Sequence, residues 1–353
     1  MTMVRAVTME LTKHCNLNCV HCYIVDNRSR GELTTAEAID ILEQLAAVGS
    51  IFLTLSGGEI LVRRDWYTIA QAAQRLKFSL CLFTNATLIT PAIADQIAAL
   101  NPRKVEVSLH GSRAETVDAI TQVTGSYARI LEGIRLLRER QVRVKVKANL
   151  LNENLNEARE FMAQARALGV QLRSVAPFII PRLDNDPAPQ QHMASREAMA
   201  AYHREQYQYL SNEALLEQTQ HPCQSETGRV CAIGGEWAIS ADAWLYPCFN
   251  WRVRGFNLRH VRIADVAGRM EELYPEMVHL TQDDLDVCDE GHRLSRHHCG
   301  ALALRLHGDV RAHVPGFCDQ AHAEEDALRA VAEERGLVIE EPAVAPVRGP
   351  ATP

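Results

Sequence analysis

No apolar run in this 353-residue chain reaches the ~20 residues a membrane-spanning helix needs, and the N-terminus lacks the apolar core of an export signal. Basic residues are outnumbered, 37 Lys and Arg against 44 Asp and Glu, and the formal charge of −7 leaves no electropositive footprint for nucleic acid. Membrane and nucleic acid are therefore not expected partners. Hydrophobic residues at 47% and charged residues at 23% are ordinary globular values, which argues against general disorder. Ten cysteines in a chain without an export signal point to metal chemistry in the cytoplasm rather than to disulfides. The length suffices for a barrel plus a smaller domain.

Three of the cysteines stand together in Cys15-Asn16-Leu17-Asn18-Cys19-Val20-His21-Cys22, just after the apolar alternation Ala6–Leu11. Three thiolates on one loop hold three irons of a cubic cluster and leave the fourth iron without a protein ligand. A structural cluster would take a fourth cysteine, and zinc sites usually show paired CxxC units.

The first half repeats strand and helix. Strands are expected at Ala6–Leu11, Ile51–Leu55, Phe78–Phe83, Lys104–Leu109, Val142–Leu150 and Val170–Ala176, and helices at Thr35–Val48, Trp66–Leu76, Pro91–Leu100, Tyr127–Arg140 and Asn154–Leu168. Pro91 suits a first helical turn, and Gly49 and Gly169 suit helix ends. Six such units predict a parallel α/β sheet that closes or partly closes as a (β/α)6 barrel. Functional groups on such sheets gather at the C-terminal ends of strands, where the cysteine loop falls. The second strand ends in Ser56-Gly57-Gly58-Glu59, and two glycines there admit close approach of another group to the backbone.

The CxxxCxxC spacing resembles the signature of the radical S-adenosylmethionine (SAM) superfamily. That resemblance implies a [4Fe–4S] cluster on Cys15, Cys19 and Cys22. Its open iron would bind the amine and carboxylate of SAM, and reduction would cleave SAM to a 5′-deoxyadenosyl radical. Gly57-Gly58-Glu59 resembles the family's GGE motif, whose backbone and glutamate receive the methionyl amine. Thr84-Asn85-Ala86 resembles TNG, with Ala86 in place of glycine, and Ser108-Leu109-His110-Gly111 resembles SLDG, with His110 in place of the acid. Asn85 and Ser108 are thus candidates for the ribose or methionine carboxylate, though each equally suits loop capping. Asn149 is a candidate for the ribose, and His21 for packing against adenine. Cys81 reads as a small buried hydrophobe.

After Phe178 the composition changes. A Pro- and Asp-rich loop, Ile180 to Gln190, precedes an expected helix from Ser195 to about Glu217, then come Cys223, Cys231, Cys248, Cys288, Cys299 and Cys318. A hairpin is expected over Glu236–Ser240 and Ala243–Tyr246. The run from Cys231 to Cys248 resembles the SPASM extension of radical SAM proteins, and Cys299 to Cys318 resembles that extension's closing segment. The resemblance implies an auxiliary [4Fe–4S] cluster on Cys223, Cys231, Cys248 and Cys299. A full extension has CxxCx5Cx3C before its last cysteine, which this chain lacks. Two all-cysteine clusters need eight thiolates where six are present. Cys288 and Cys318 are left for a second cluster with His292, His297 or His298, for a zinc site with His292 and His297, or as idle thiols. Expected divisions are a barrel at 1–178, a linker and helix at 179–220, the extension at 221–320, and a C-terminal helix (Ala321–Arg335) with a disordered tail at 321–353.

An auxiliary cluster suits a reaction in which a substrate radical loses an electron. Resemblance to SPASM proteins implies oxidative modification of a peptide side chain, such as a crosslink in ribosomal peptide maturation. A low-potential donor (flavodoxin or ferredoxin) would supply electrons. With the triad beginning at residue 15, an N-terminal peptide-recognition domain is not expected, and a separate recognition protein or the barrel mouth itself would take that part. Alternatives are a tetrapyrrole side-chain enzyme, a sulfatase-maturase-like protein oxidase, and a non-enzymatic iron–sulfur electron carrier. Phe249 and Asn250 after Cys248 speak against the maturase, which carries an acid there. The ending Ala351-Thr352-Pro353 speaks against a molybdenum-cofactor cyclase, which ends in a glycine pair.

Overall fold

Alternation along the strands creates two unlike faces. In β1 (Ala6–Thr12), Val7, Met9 and Leu11 are buried among helices, while Thr8, Glu10 and Thr12 take the opposite side. The pattern repeats in β2 (Phe52–Gly57), β3 (Ser79–Thr84), β4 (Lys104–Ser108) and β5 (Val144–Lys147), where Thr54, Ser56, Cys81, Phe83, Glu106, Ser108 and Lys147 line one common cavity. The computed structural model describes residues 5–24, 31–172, 179–220, 235–281, 284–286 and 298–338. β1 to β5 and a short β6 (Gln171–Leu172) pair in parallel in the order 6-5-4-3-2-1. This is the expected α/β partial barrel, apolar outside and polar within.

The helices on its outer face begin where local chemistry directs. Thr34 caps α1 (Thr35–Ala47) through a reciprocal pair, its Oγ1 accepting from the Glu37 amide at 3.2 Å and the Glu37 carboxylate accepting from the Thr34 amide at 2.8 Å. α2 spans Trp66–Arg75, and α3 (Pro91–Ala99) starts on proline behind a Thr90 cap. Gly49 and Gly169 end their helices at φ +86° and +64°. α5 (Ser126–Glu139) and α6 (Ala158–Ala167) fall within or beside their expected ranges. α4 (Ala114–Thr121) was not expected, because eight residues with three buried positions are too few to show a helical period. β5 is shorter than expected, and of the strand expected at Val170–Ala176 the described residues show Gln171–Leu172, residues 173–178 lying outside them.

Two corrections concern the second half. The helix expected from Ser195 to Glu217 is two, α7 (Arg196–Tyr207) and α8 (Asn212–Gln220). The C-terminal helix starts six residues earlier than expected: α13 (Pro315–Glu334) takes in Cys318 and packs against α7 and α8 through Leu215, Leu328 and Val331. Between them lie the hairpin β7 (Glu236–Ile239) and β8 (Trp244–Tyr246), then β9 (Phe256–Asn257). Three one-turn helices follow, α9 (Ile263–Val266), α10 (Met270–Leu273) and α11 (Pro275–Val278), and then α12 (Gly300–His307). β7 pairs in parallel with β1, Thr8 opposite Ala238, so the hairpin continues the barrel sheet past its first strand. Nothing in the hairpin's own sequence showed that pairing. Among the described residues no helix is long and apolar enough to cross a membrane. The tail from Glu340 lies outside the described residues.

Ala86 occupies the left-handed region at φ +61°, which explains why a glycine is usual at that position. It is accommodated by a glycine elsewhere. A Cβ on Gly133 of α5 would lie 2.5 Å from the Ala86 carbonyl oxygen and 3.1 Å from its Cβ. Gly133→Ala is therefore expected to cost about 1–3 kcal/mol in thermal unfolding, as overpacking does, although alanine is the better helix former. Ala86→Gly is expected to match or exceed the parent by up to about 1 kcal/mol. A stabilised Gly133→Ala protein would refute this account.

Candidate active site

The cysteine loop leaves β1 and is stitched down at both ends. Gly58 and Glu59 donate their amides to the carbonyls of Thr12 and His14, each at 2.8 Å. A Cβ on Gly57 or Gly58 would stand 2.3 Å from one of those same oxygens. The group that the glycine pair admits is thus the loop's own backbone. Farther along, the amides of Asn18 and Val20 bond the carbonyls of Thr121 and Ile120 at the end of α4, each at 3.0 Å. The unexpected helix is an anchor for the cysteines.

All three cysteines line a cavity of about 850 Å³ that runs inside the barrel from Ala6, Phe52 and Lys104, at the starts of β1, β2 and β4, to the C-terminal strand ends, where His21, Ser56, Gly57, Gly58, Asn85, Ser108 and Asn149 also line it. Burial pushes the Cys15 thiol up to about 11, against amide help from Leu17, and raises Cys19 and Cys22 as well. Cys15 and Cys22 also raise Cys19 by their proximity. Buried thiols of this kind ionise when a metal takes them, which fits a cationic cluster. Among the described residues no three His, Cys, Asp or Glu side chains converge on a single ion. A cubic cluster asks for something else, one thiolate per iron.

Glu59 is placed otherwise than its motif implied. It is 1% exposed, is not part of the cavity wall, and accepts from the Asn85 amide (2.6 Å), Thr84 Oγ1 (2.8 Å) and the Leu61 amide (3.0 Å). Burial raises its pKa, and these bonds oppose the rise. It ties the end of β2 to the end of β3. Asn85 lines the cavity, and its side-chain nitrogen donates to Asn16 Oδ1 at 3.0 Å and lies 3.8 Å from Cys15 Sγ. Cys81 is buried as expected, at the inner wall of the cavity.

His21 meets His110 edge to face, with ring centroids 4.4 Å apart. The Asn149 amide donates to His110 Nδ1 at 3.2 Å, which puts the His110 proton on Nε2. Burial lowers both imidazoles, His21 to about 4, so both are neutral. Behind them the Asn154 side-chain amide donates to the carbonyls of His110 and Asn149, each at 2.8 Å. Asn154 had been visible only as a helix start.

The same cavity is lined by Cys248, Phe249 and Asn250, from the loop after β8. Asn250 Nδ2 donates to Cys299 Sγ at 3.5 Å, so Cys248 and Cys299 belong to one neighbourhood. His298 is bonded through Nε2 to the Val310 carbonyl at 2.7 Å, while His313, not singled out in the sequence, lies 2.6 Å from Cys318 Sγ. Cys223, Cys231, Cys288, His292 and His297 lie outside the described residues.

A buried brace joins the two sides. Arg252 Nη2 meets Glu10 Oε1 at 3.1 Å, with side chains only 8% and 5% exposed, and Tyr23 donates its hydroxyl to the same oxygen at 3.1 Å. Tyr23, next to Cys22, contacts the ring of Phe249, next to Cys248, at 5.2 Å, and Arg252 stacks over Phe249 and Tyr246. None of this network was anticipated. A lone acid at an inward position of β1 was its one sequence signal.

Residues 9–165 match the Radical SAM superfamily. They form a radical SAM domain. The "AdoMet-dependent heme synthase" of Methanosarcina barkeri is 36% identical over 179 residues, 50% of this chain and 51% of that protein. The "Mycofactocin maturase MftC" of Mycobacterium tuberculosis is 33% identical over 169 residues, 47% of this chain and 43% of that protein. The chain thus spans about half the length of the curated relatives it matches. Native anSMEcpe with bound AdoMet and Kp18Cys peptide superposes with a TM-score of 0.72 at 12% identity, over 94% of this chain and 97% of that one. That likeness carries the fold beyond the radical SAM domain, into the second half.

Removing one partner of a buried ion pair leaves an uncompensated charge, at a cost of about 3–5 kcal/mol. Glu10→Gln and Arg252→Met are each expected to lose stability on that scale in denaturant unfolding, and the double variant to lose clearly less than the sum. Additive losses would show that the two side chains do not depend on each other.

Proposed function

We propose that this protein is a radical SAM enzyme that oxidatively modifies a peptide side chain, with an auxiliary cluster as electron acceptor. The observation that carries the reading is one continuous cavity lined by Cys15, Cys19 and Cys22 and, from the second half of the chain, by Cys248. A substrate held in it would lie in reach of both SAM and an oxidant, as a two-electron oxidation requires. Bound at the triad, a [4Fe–4S] cluster would supply the low-potential electron that cleaves SAM. The chain's own part is to hold the thiols on a loop fixed to β2 and α4, and to present Asn85, Ser108, His110 and Asn149 to the cofactor.

Peptide as substrate is supported by the maturase relative and by the anSMEcpe structure, which holds AdoMet and a peptide. The cavity is large enough for a side chain and its flanks beside SAM. The division at about residues 178, 220 and 320, the SPASM character of the second half, the electron donor and a separate recognition protein belong to the same proposal. A second reading, a tetrapyrrole substrate, is favoured by the haem synthase relative and by Lys147 at the end of β5 on the cavity wall, a cation of the kind a carboxylate side chain needs.

With Cys15, Cys19 and Cys22 all replaced by alanine, 5′-deoxyadenosine formation from SAM and dithionite is expected to vanish while about four irons per chain remain. SAM cleavage that persists would overturn the triad's role, and an iron-free variant would overturn the auxiliary cluster. The substrate is tested by mass spectrometry after co-expression with a candidate precursor peptide. The expected change is a loss of about two mass units, as for oxidative bond formation. Turnover of an iron porphyrin in place of any peptide would decide for the second reading.

A further inference from the structure

Among the described residues Arg305 is a cation without an anion. It lies on α12 nearly two turns beyond Cys299, the residue that caps that helix. Its Nη2 donates to the Pro181 carbonyl at 3.1 Å, but Nε and Nη1 are buried with no hydrogen-bond acceptor. Guanidinium carries five donors and does not deprotonate, so buried N–H groups without acceptors cost on the order of 1–3 kcal/mol each. The nearest charged neighbour is no help, since Arg252 repels it and is already paired with Glu10. Native chains rarely keep such an arrangement unless something else completes it.

What would complete it is indicated by where the other donors point. Asn250 Nδ2 is directed at Cys299 Sγ, and the amides of Ala301 and Leu302 turn toward the same sulfur at the start of α12. The acceptor must be anionic and must sit at Cys299. Arg305 is not part of the wall of the large cavity, whereas Cys248 and Asn250 are, so a substrate carboxylate in that cavity is poorly placed to reach it. A cubic cluster bound by thiolates is anionic overall, and hydrogen bonds to its sulfurs are among the terms that set its potential.

We propose that Arg305 is the hydrogen-bond donor and counter-charge of an auxiliary iron–sulfur cluster held at Cys248 and Cys299. The inference rests on the auxiliary cluster of the proposed function and adds the residue that stabilises it and raises its reduction potential. Arg305 positions and tunes; it does not react. Removing it withdraws positive charge and donors, which disfavours the more negative reduced cluster.

The test compares Arg305→Met and Arg305→Lys with the parent, each iron-free and after anaerobic reconstitution, with Arg305→Gln held ready if the methionine variant fails to fold. Iron-free Arg305→Met should melt at or above the parent temperature, because removing a buried cation with two unsatisfied nitrogens outweighs the loss of its one hydrogen bond to the Pro181 carbonyl. Once loaded, it should release auxiliary iron to a chelator about tenfold faster, the lower end of what outer partners of a metal site contribute. Its auxiliary potential, followed by electron paramagnetic resonance, should move negative, with the lysine variant between. The signal of the cluster at Cys15, Cys19 and Cys22 should not change. Unchanged potential and lability in a protein that does hold auxiliary iron would overturn the role of Arg305 alone. Absence of auxiliary iron from the parent would overturn it together with the cluster. A raised KM for substrate at unchanged potential would assign the arginine to a substrate carboxylate and overturn the proposal.

Discussion

Everything at the mouth of the barrel depends on how closely the backbone after β1 lies against the end of β2. The amides of Gly58 and Glu59 reach the carbonyls of Thr12 and His14, and only glycine leaves room for that approach. The contact fixes where the cysteine loop starts, and the bonds from Asn18 and Val20 to the end of α4 fix where it goes. Glu59 then carries the same anchorage onward to β3 through Thr84 and Asn85. Three neighbouring strand ends thus hold one loop in place by main-chain bonds and one buried carboxylate. Little of that precision is left to mobile side chains.

Much of this was legible in the sequence, for a physical reason. Parallel strands flanked by helices impose near-regular repeats, and features such as Pro91, Gly49 and Thr34 act within a few residues of where they stand. The triad was legible because its spacing is local. Long-range relations were not. That β7 lies beside β1, or that Arg252 finds Glu10 across 242 positions, leaves no periodic trace. α4 was hidden by shortness, and the break between α7 and α8 by the lack of any glycine or proline at positions 208–211. The glycine pair was read for its freedom of approach, but only the structure shows that the approaching group is the chain itself.

The two cysteine-bearing loops are held in register by chemistry of unusual directness. Tyr23 and Phe249 each adjoin a cysteine and touch each other, and the Glu10–Arg252 pair clamps that contact from beneath. Arg252 is paired with Glu10, and the charge proposed to act at Cys299 is that of Arg305. One arginine secures geometry, and the other is proposed to set charge.

The division of the strands into an apolar outer face and a polar inner one has an evolutionary consequence. Cohesion resides in Val7, Met9, Leu53, Leu82, Val105 and Val146, which never meet the cavity. Residues such as Thr54, Glu106, Ser108 and Lys147 face the cavity and contribute to it alternately along each strand. Variation can therefore accumulate on the inner face while the scaffold keeps its folding free energy. A lineage built this way can exchange one class of guest for another by a handful of replacements, with no redesign of the shell that surrounds them.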